Sequence, residues 1–241
     1  MIKRTELEHS RNIAERAEEI WGWASKAGQL RAERRANLLI ARGDIAKGLN
    51  ILEIGCGTGV FTAELAVTAA NITATDISAE LLEKAQKRVP NVRFQIADAE
   101  GMPFAAGVFD AVVGSSILHH LNLEAALKEI YRVLKPGGRL AFAEPNMLNP
   151  QVMLQKNIPA LKRRLGDTPH ETAFFRGRLA HTLRENGFTE VQVEPFDFLH
   201  PATPALLIPL VQRAGSFLEG MPLCREIAGS LIISALKGSP Q

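Results

Sequence analysis

The sequence predicts an α/β fold built on a mostly parallel sheet, and three observations carry that expectation. Short apolar runs alternate with amphipathic helical segments between residues 49 and 144. A glycine triplet, Gly55-Cys56-Gly57-Thr58-Gly59, sits where the first such run gives way to a helix. Acidic residues, Glu53, Asp76 and Asp98, stand at or beside the ends of the first three runs. Alternation of this kind implies βαβ units, whose right-handed crossovers place helices on both faces of a parallel sheet.

The elements follow in order. Residues 10–47 read as a polar helical segment, with Trp21, Trp23 and a run of charge from Arg31 to Arg35. Residues 49–54 are a buried strand and 60–70 a helix. Residues 71–76, rich in β-branched side chains, form the second strand. Ser78 caps a helix over 79–88, which Pro90 stops. Strands follow at 92–96 and 109–115. Leu123, Ala126, Leu127, Ile130, Tyr131 and Leu134 make one helical stripe that ends at Pro136-Gly137-Gly138. Residues 139–144 are the fifth strand. Beyond Pro145 the rhythm loosens into loop and short helix over 146–173, a helix at 174–186 and a strand at 188–198. Residues 201–228 form an apolar stretch with four prolines before a last strand at 229–236. The final two strands suit an antiparallel pair at the sheet edge.

Composition sets the outer bounds. The 241 residues, 46% apolar and 22% charged, suit one large domain or one domain with appendages. A net charge of +2 supplies no field for nucleic acid, so no nucleic-acid partner is expected. Two cysteines, Cys56 and Cys224, form no disulfide framework, and the expectation is a reducing, cytoplasmic compartment. The N-terminal residues are charged rather than apolar, unlike a signal peptide. No run reaches the roughly 18 apolar residues of a membrane span.

A glycine turn between strand and helix brings backbone close to a ligand. A dinucleotide fingerprint requires glycine at the sixth position from Gly55, and that position is Val60. A phosphate loop ending in Gly-Lys-Ser/Thr is absent too. Glu53 beside the turn would repel a pyrophosphate but suits a ligand with an ammonium group. Asp76, 21 residues after Gly55, can accept bonds from both hydroxyls of a ribose, and Asp98 from an adenine amine.

On these residues the stretch from about 49 to 145 resembles class I S-adenosylmethionine-dependent methyltransferases, of the small-molecule type that includes quinone-biosynthesis C-methyltransferases. The matching segments are Leu52-Glu-Ile-Gly-Cys-Gly-Thr-Gly59, Ala74-Thr-Asp-Ile-Ser78, Asp98-Ala-Glu-Gly-Met-Pro-Phe104, Phe109-Asp-Ala-Val-Val-Gly114, Leu118-His-His-Leu121 and Arg132-Val-Leu-Lys-Pro-Gly-Gly138. The resemblance implies a Rossmann-like sheet of seven strands in the order 3-2-1-4-5-7-6, the seventh antiparallel. It implies S-adenosylmethionine as cofactor, with Glu53, Gly55, Cys56 and Gly57 along the methionine part and Asp76 on the ribose. Ile77 would pack on the adenine, Asp98 and Ala99 meet its edge, and Ser115 sit near the sulfonium. No metal site is implied. The resemblance fades over residues 1–48, expected as a helical segment covering the site, and after Pro145. The methyltransferase domain is expected over 49–241, with 201–228 as an apolar insertion.

The implied activity is methyl transfer to a small metabolite, and the partly apolar C-terminal region favours a lipophilic one such as a quinone precursor, polyketide or lipid. Two other readings stand beside it: a membrane-associated cofactor binder without transfer, and a nicotinamide-dependent oxidoreductase. His119, His120 and Glu144 are the candidates for a catalytic base, each with a structural alternative as turn, cap or buried acid. Arg31, Arg34 or Arg35 can clamp a carboxylate; solvated helix charge is the preferred reading. Residues 156–184 carry seven Lys or Arg against two Asp or Glu, next to an apolar stretch. That pairing suggests peripheral membrane contact or a lipid-like acceptor.

Overall fold

The computed structural model describes residues 2–165, 167–168 and 171–238. Met1, the start of the charged N-terminal run, and positions 166, 169 and 170 of the expected loop 146–173 lie outside the described residues. In chain order the elements are α1 (Ile2–Ile13), α2 (Ala17–Ile20), α3 (Lys26–Gly43), β1 (Asn50–Ile54), α4 (Val60–Ala66), β2 (Asn71–Asp76), α5 (Ala79–Arg88), β3 (Arg93–Ile96) and β4 (Phe109–Ser115). Then come α6 (Leu123–Val133), β5 (Leu134–Pro145), α7 (Pro150–Asn157), α8 (Pro159–Leu165), α9 (Arg176–Glu185), β6 (Phe188–Phe196), α10 (Ile208–Glu219), α11 (Pro222–Arg225) and β7 (Ser230–Lys237).

The strands form one sheet in the order β3-β2-β1-β4-β5-β7-β6, with β7 antiparallel to both neighbours. This is the expected order. Alternation along the strands divides the core in two. Leu140 and Phe142 of β5, with Val112 of β4, pack toward Leu127, Ile130 and Val133 of α6 and Leu179 and Leu183 of α9. Ala111, Ala141 and Ala143 face the other way, toward Ala32, Ala36 and Leu39 of α3. These small side chains let α3 approach the sheet closely. The chain therefore carries α3 across the centre of the sheet, where its charged face reaches the strand ends.

Local chemistry fixes the helix starts. Ser78 caps α5 by accepting the Leu81 N–H at 3.3 Å, as expected. Asn122 caps α6 and Asn149 caps α7 in the same way. Several boundaries differ from expectation, such as the helix expected over 60–70, which ends at Ala66, and two differences are larger. The fifth strand begins at Leu134, not 139: Phe109 pairs with Leu134 before the register shifts across Pro136-Gly137-Gly138. The segment 146–173 holds two helices, α7 and α8, where loop with a short helix was expected. Their stripes are weakly amphipathic, so periodicity had little to register. Among the described residues no helix is long and apolar enough to cross a membrane.

Candidate active site

Strand order reverses between β1 and β4, and open α/β sheets bind ligands at such a crevice. A cavity of about 450 Å³ opens there, in the range of small-molecule sites. Its wall takes Gly55, Cys56 and Gly57 from the turn after β1, Asp76 and Ile77 after β2, Asp98 and Ala99 after β3, and Ser115 at the end of β4. Eight of the nine cofactor residues expected from sequence thus share one cavity. Glu53 does not line it. It lies beneath the turn, buried, and accepts the Thr62 hydroxyl at 2.6 Å.

The turn itself depends on its glycines. Gly55, Gly57 and Gly59 all have positive φ, from 55° to 78°, where a side chain is strained. The Gly57 N–H donates to Asp76 Oδ2 and the Ser78 N–H to Asp76 Oδ1, both at 2.9 Å. Asp76 therefore ties the glycine turn to the start of α5. Burial raises its pKa, against the lowering effect of those backbone bonds. Burial raises the Glu53 pKa to about 7, with the neighbouring Asp76 charge adding to it and Thr62 opposing it. The Cys56 thiol is also pushed up, first by burial and then by Glu53 and Asp76, so it is no ready nucleophile.

The N-terminal helices supply the opposite wall. Trp21 and Trp23 line the cavity, and a Cβ on Gly57 would come within 3.1 Å of the Trp21 ring. Glu18 accepts from the Thr58 hydroxyl at 2.9 Å and from Arg88 at 2.7 Å, which joins α2 to the glycine turn and to α5.

His119 and His120 line the cavity beyond Ser115. Glu144, at the end of β5, is fully buried and does not line it. Its Oε1 accepts the N–H groups of Ile117 and Leu118 at 2.9 and 2.8 Å, and its Oε2 lies 2.7 Å from His119 Nδ1. Held by those two N–H groups, Glu144 orients the imidazole through Nδ1, leaving Nε2 as the other ring atom. Burial lowers the His119 pKa, with His120 adding to it and Glu144 opposing it. The imidazole is then neutral at physiological pH.

Glu171 and Lys156 complete this corner, and neither was singled out from sequence. Glu171 Oε2 lies 3.9 Å from His119 Nε2 and Oε1 lies 3.7 Å from His120 Nδ1. Burial pushes the Glu171 carboxyl up, but His120, Lys156 and His119 together outweigh it and hold it down at about 2. His119, His120 and Glu171 offer ligand atoms within 4.8 Å of one another. The Lys156 ammonium, 2.7 Å from Glu171 and 3.0 Å from Asp167, already compensates these acids and would face any cation placed there. Glu171 sits in the loosely patterned segment 146–173, where no spacing signals it.

Arg35 corrects the solvated-charge reading. It is buried on α3 and lines the cavity. It donates to the hydroxyls of Ser115, Ser116 and Ser230 at 3.3, 3.0 and 2.6 Å and packs over Trp23 and Phe196. Its Nε is buried without a hydrogen-bond partner among the described residues. Burial, then Arg31, lowers its pKa to about 10. Arg31 instead pairs with Asp197 at 2.7 Å, and Arg34 with Glu219. The sequence signal was an arginine three residues after Ala32 and four before Leu39, on the helix face that meets the sheet.

Comparison with known proteins decides the family. The methyltransferase domain family matches residues 52–142. A demethylmenaquinone methyltransferase from Corynebacterium urealyticum is 34% identical over 165 residues, which cover 61% of this chain and 71% of that protein. The chain belongs to the class I S-adenosylmethionine-dependent methyltransferases. Solved structures agree on the fold of the methyltransferase. A possible histamine N-methyltransferase from Thermotoga maritima superposes with a TM-score of 0.66 at 22% identity, covering 95% of this chain and 99% of that one. Haemonchus contortus phosphoethanolamine N-methyltransferase 2, solved with S-adenosylmethionine, gives 0.66 at 16% identity, covering 95% and 60%. S-adenosylmethionine is the cofactor of this methyltransferase, and the nicotinamide reading falls away with Val60 in the turn.

Proposed function

We propose that the methyltransferase acts on an apolar acceptor bearing an ionisable hydroxyl, of which a quinol is the type favoured by the demethylmenaquinone relatives. The observation that carries this reading is His119 on the cavity wall, with Glu144 buried behind it at 2.7 Å from Nδ1. The cavity is large enough for a nucleoside ligand, and the buried, incompletely bonded Arg35 cation suits a carboxylate at its edge. Both support the fit of the cofactor.

Gly55, Cys56 and Gly57 would border the methionine part of the cofactor, over the buried carboxyl of Glu53. Asp76 would hold the ribose, Ile77 the adenine face, and Asp98 and Ala99 the adenine edge, with Ser115 near the reacting end. Arg35 would take the carboxylate. Residues 1–48 would cover the bound cofactor through Trp21 and Trp23. Bound cofactor supplies an activated methyl group on a sulfonium.

The chain's own task is to present and deprotonate the acceptor. His119 Nδ1–H donates to Glu144, so Nε2 carries the lone pair and accepts the hydroxyl proton. Glu144 touches no acceptor; it orients the ring and steadies the imidazolium. Loss of that proton makes the acceptor oxygen, or a ring carbon conjugated with it, a better nucleophile. Residues 1–48 exclude water, and the positioning of the two reactants at about 3–3.5 Å supplies the rest.

The test is transfer of radiolabelled methyl to demethylmenaquinol. His119→Ala should lower kcat by roughly 10²–10⁴ while S-adenosylhomocysteine affinity holds. Glu144→Gln should lower kcat less and move the pH profile. Full activity in His119→Ala would make the pair structural. Full activity only on a polar acceptor would remove the quinol.

A further inference from the structure

One surface of the methyltransferase is apolar, and among the described residues no element covers it. Helix α10 packs on the body through Ile208, Val211 and Gly215, against Ala27, Leu30, Leu199 and Phe198. Its opposite side carries a second apolar stripe at helical spacing. Leu206 is 90% exposed, Leu210 66% and Phe217 70%, and Met221 and then Leu223, 88% exposed, extend the stripe toward α11. A helix of a monomeric domain ordinarily turns its one apolar face inward. A leucine and phenylalanine stripe on the outer face marks a contact surface.

Its charge says what covers it. Between residues 198 and 226 the charged side chains are Arg213, Arg225, Glu219 and Glu226, and Glu226 pairs with Arg176 at 3.0 Å. Glu219 turns inward to Arg34 and to the Asp197 N–H. Arg213 falls on the stripe itself, four residues before Phe217, and is exposed. Leucine and phenylalanine flanked by arginine, with both acids paired, complement an anionic lipid surface.

Its place says why. The segment leading into α10 lines the cavity through Phe198, Leu199, His200 and Pro201. Gln151 of α7, which also lines the cavity, bonds His200 at 2.7 Å. The outer residues of α7 and α8, Met153, Leu154, Ile158 and Leu165, are exposed apolar side chains as well. The cavity-lining segments 198–201 and 151–156 thus both adjoin exposed apolar side chains.

We propose that the stripe Leu206, Leu210, Phe217, Met221 and Leu223, with Arg213 and Arg225, docks the methyltransferase on an anionic bilayer beside the mouth of its acceptor cavity. This deepens the lipophilic-acceptor reading and rests on it for its purpose, but vesicle binding is read without any acceptor. An apolar acceptor would then pass from the bilayer into the cavity without crossing water.

The experiment is sedimentation of the full chain with vesicles of phosphatidylcholine containing about one-third phosphatidylglycerol. The chain should pellet with them, pellet several-fold less with phosphatidylcholine alone, and release in high salt. The double variant Leu206→Glu, Phe217→Glu should lose tenfold or more of that binding. Both positions are exposed, so its S-adenosylhomocysteine affinity should stay that of the parent. A chain that remains in the supernatant with anionic vesicles overturns the proposal, as does a double variant that pellets equally. A stripe that joins two copies would show as a dimer which the double variant splits, with no vesicle binding in either; that result also overturns it. Turnover of a lipophilic acceptor by a chain that ignores vesicles would leave the acceptor reading standing and remove the docking surface alone.

Discussion

Glu53 lies beneath the glycine turn with its carboxyl shut away from water, and its pKa of about 7 has a measurable consequence. In the unfolded chain the same group ionises near its ordinary value of about 4.3. Between those two values the unfolded state has released the proton and the folded state still holds it. Stability of the ligand-free protein therefore falls as pH rises from about 4.5 to about 7, by about 3 kcal/mol in all, and levels off above. Glu53→Gln removes the titration and keeps an acceptor for Thr62. Melting temperatures should show little advantage for the variant below pH 4.5 and a gap that widens up to about pH 7. A gap that stays flat or narrows over that range would mean that Glu53 is ionised in the folded protein. Single residues were also where sequence reading was least complete. Asp76 was read as ribose ligand or helix cap, and its oxygens hold the Gly57 and Ser78 N–H groups. Arg35 was read with Arg31 and Arg34 as one charged run, because a run does not say which member faces the sheet. Glu144 and His119 lie 25 residues apart, and only the adjacency of β4 and β5 brings them into contact.

The glycine turn and the helix it opens form the element on which the site rests. Gly59 stands at φ +78°, and a Cβ there would come within 3.0 Å of the Ala85 Cα and Cβ of α5. Two costs coincide at that position: a left-handed backbone and contact with a neighbouring helix. Gly59→Ala should lower stability by about 1–3 kcal/mol, seen as a reduced urea midpoint at unchanged slope. A midpoint equal to the parent's would mean that α4 and α5 separate at no cost. Elements with strong periodicity were legible before the structure. The stripe of α6 needed only its spacing, and the Ser78 cap only its residue type. Helices α7 and α8 were not, because neither buries a full apolar stripe. They hold Lys156 and the approach to Glu171 by polar bonds, and polar bonds leave no period in a sequence.

At the scale of the molecule, the division of labour follows the sheet. The strand ends from β1 to β4 place Gly55, Asp76, Asp98 and Ser115 around one cavity; the first three were readable from their positions beside an apolar run, and Ser115 only from the family resemblance. The other wall comes from residues far away in sequence. Ser25 of the N-terminal segment donates to the Pro201 carbonyl, and Arg31 pairs with Asp197, distances of 176 and 166 residues along the chain. Contacts of that length depend on how α3 crosses the sheet, which no local pattern encodes. This is why the glycine-turn wall of the cavity was legible and the wall facing it was not. Asp76 joins the two levels, since it fastens the turn and faces the cavity. The direct measurement is calorimetric titration with S-adenosylhomocysteine, comparing the parent protein with Asp76→Ala and running NAD alongside. The account predicts binding to the parent, a loss in Asp76→Ala of about 1–3 kcal/mol, or roughly 5- to 150-fold, and no heat from NAD. Equal affinity in Asp76→Ala, or binding of NAD without S-adenosylhomocysteine, would contradict it.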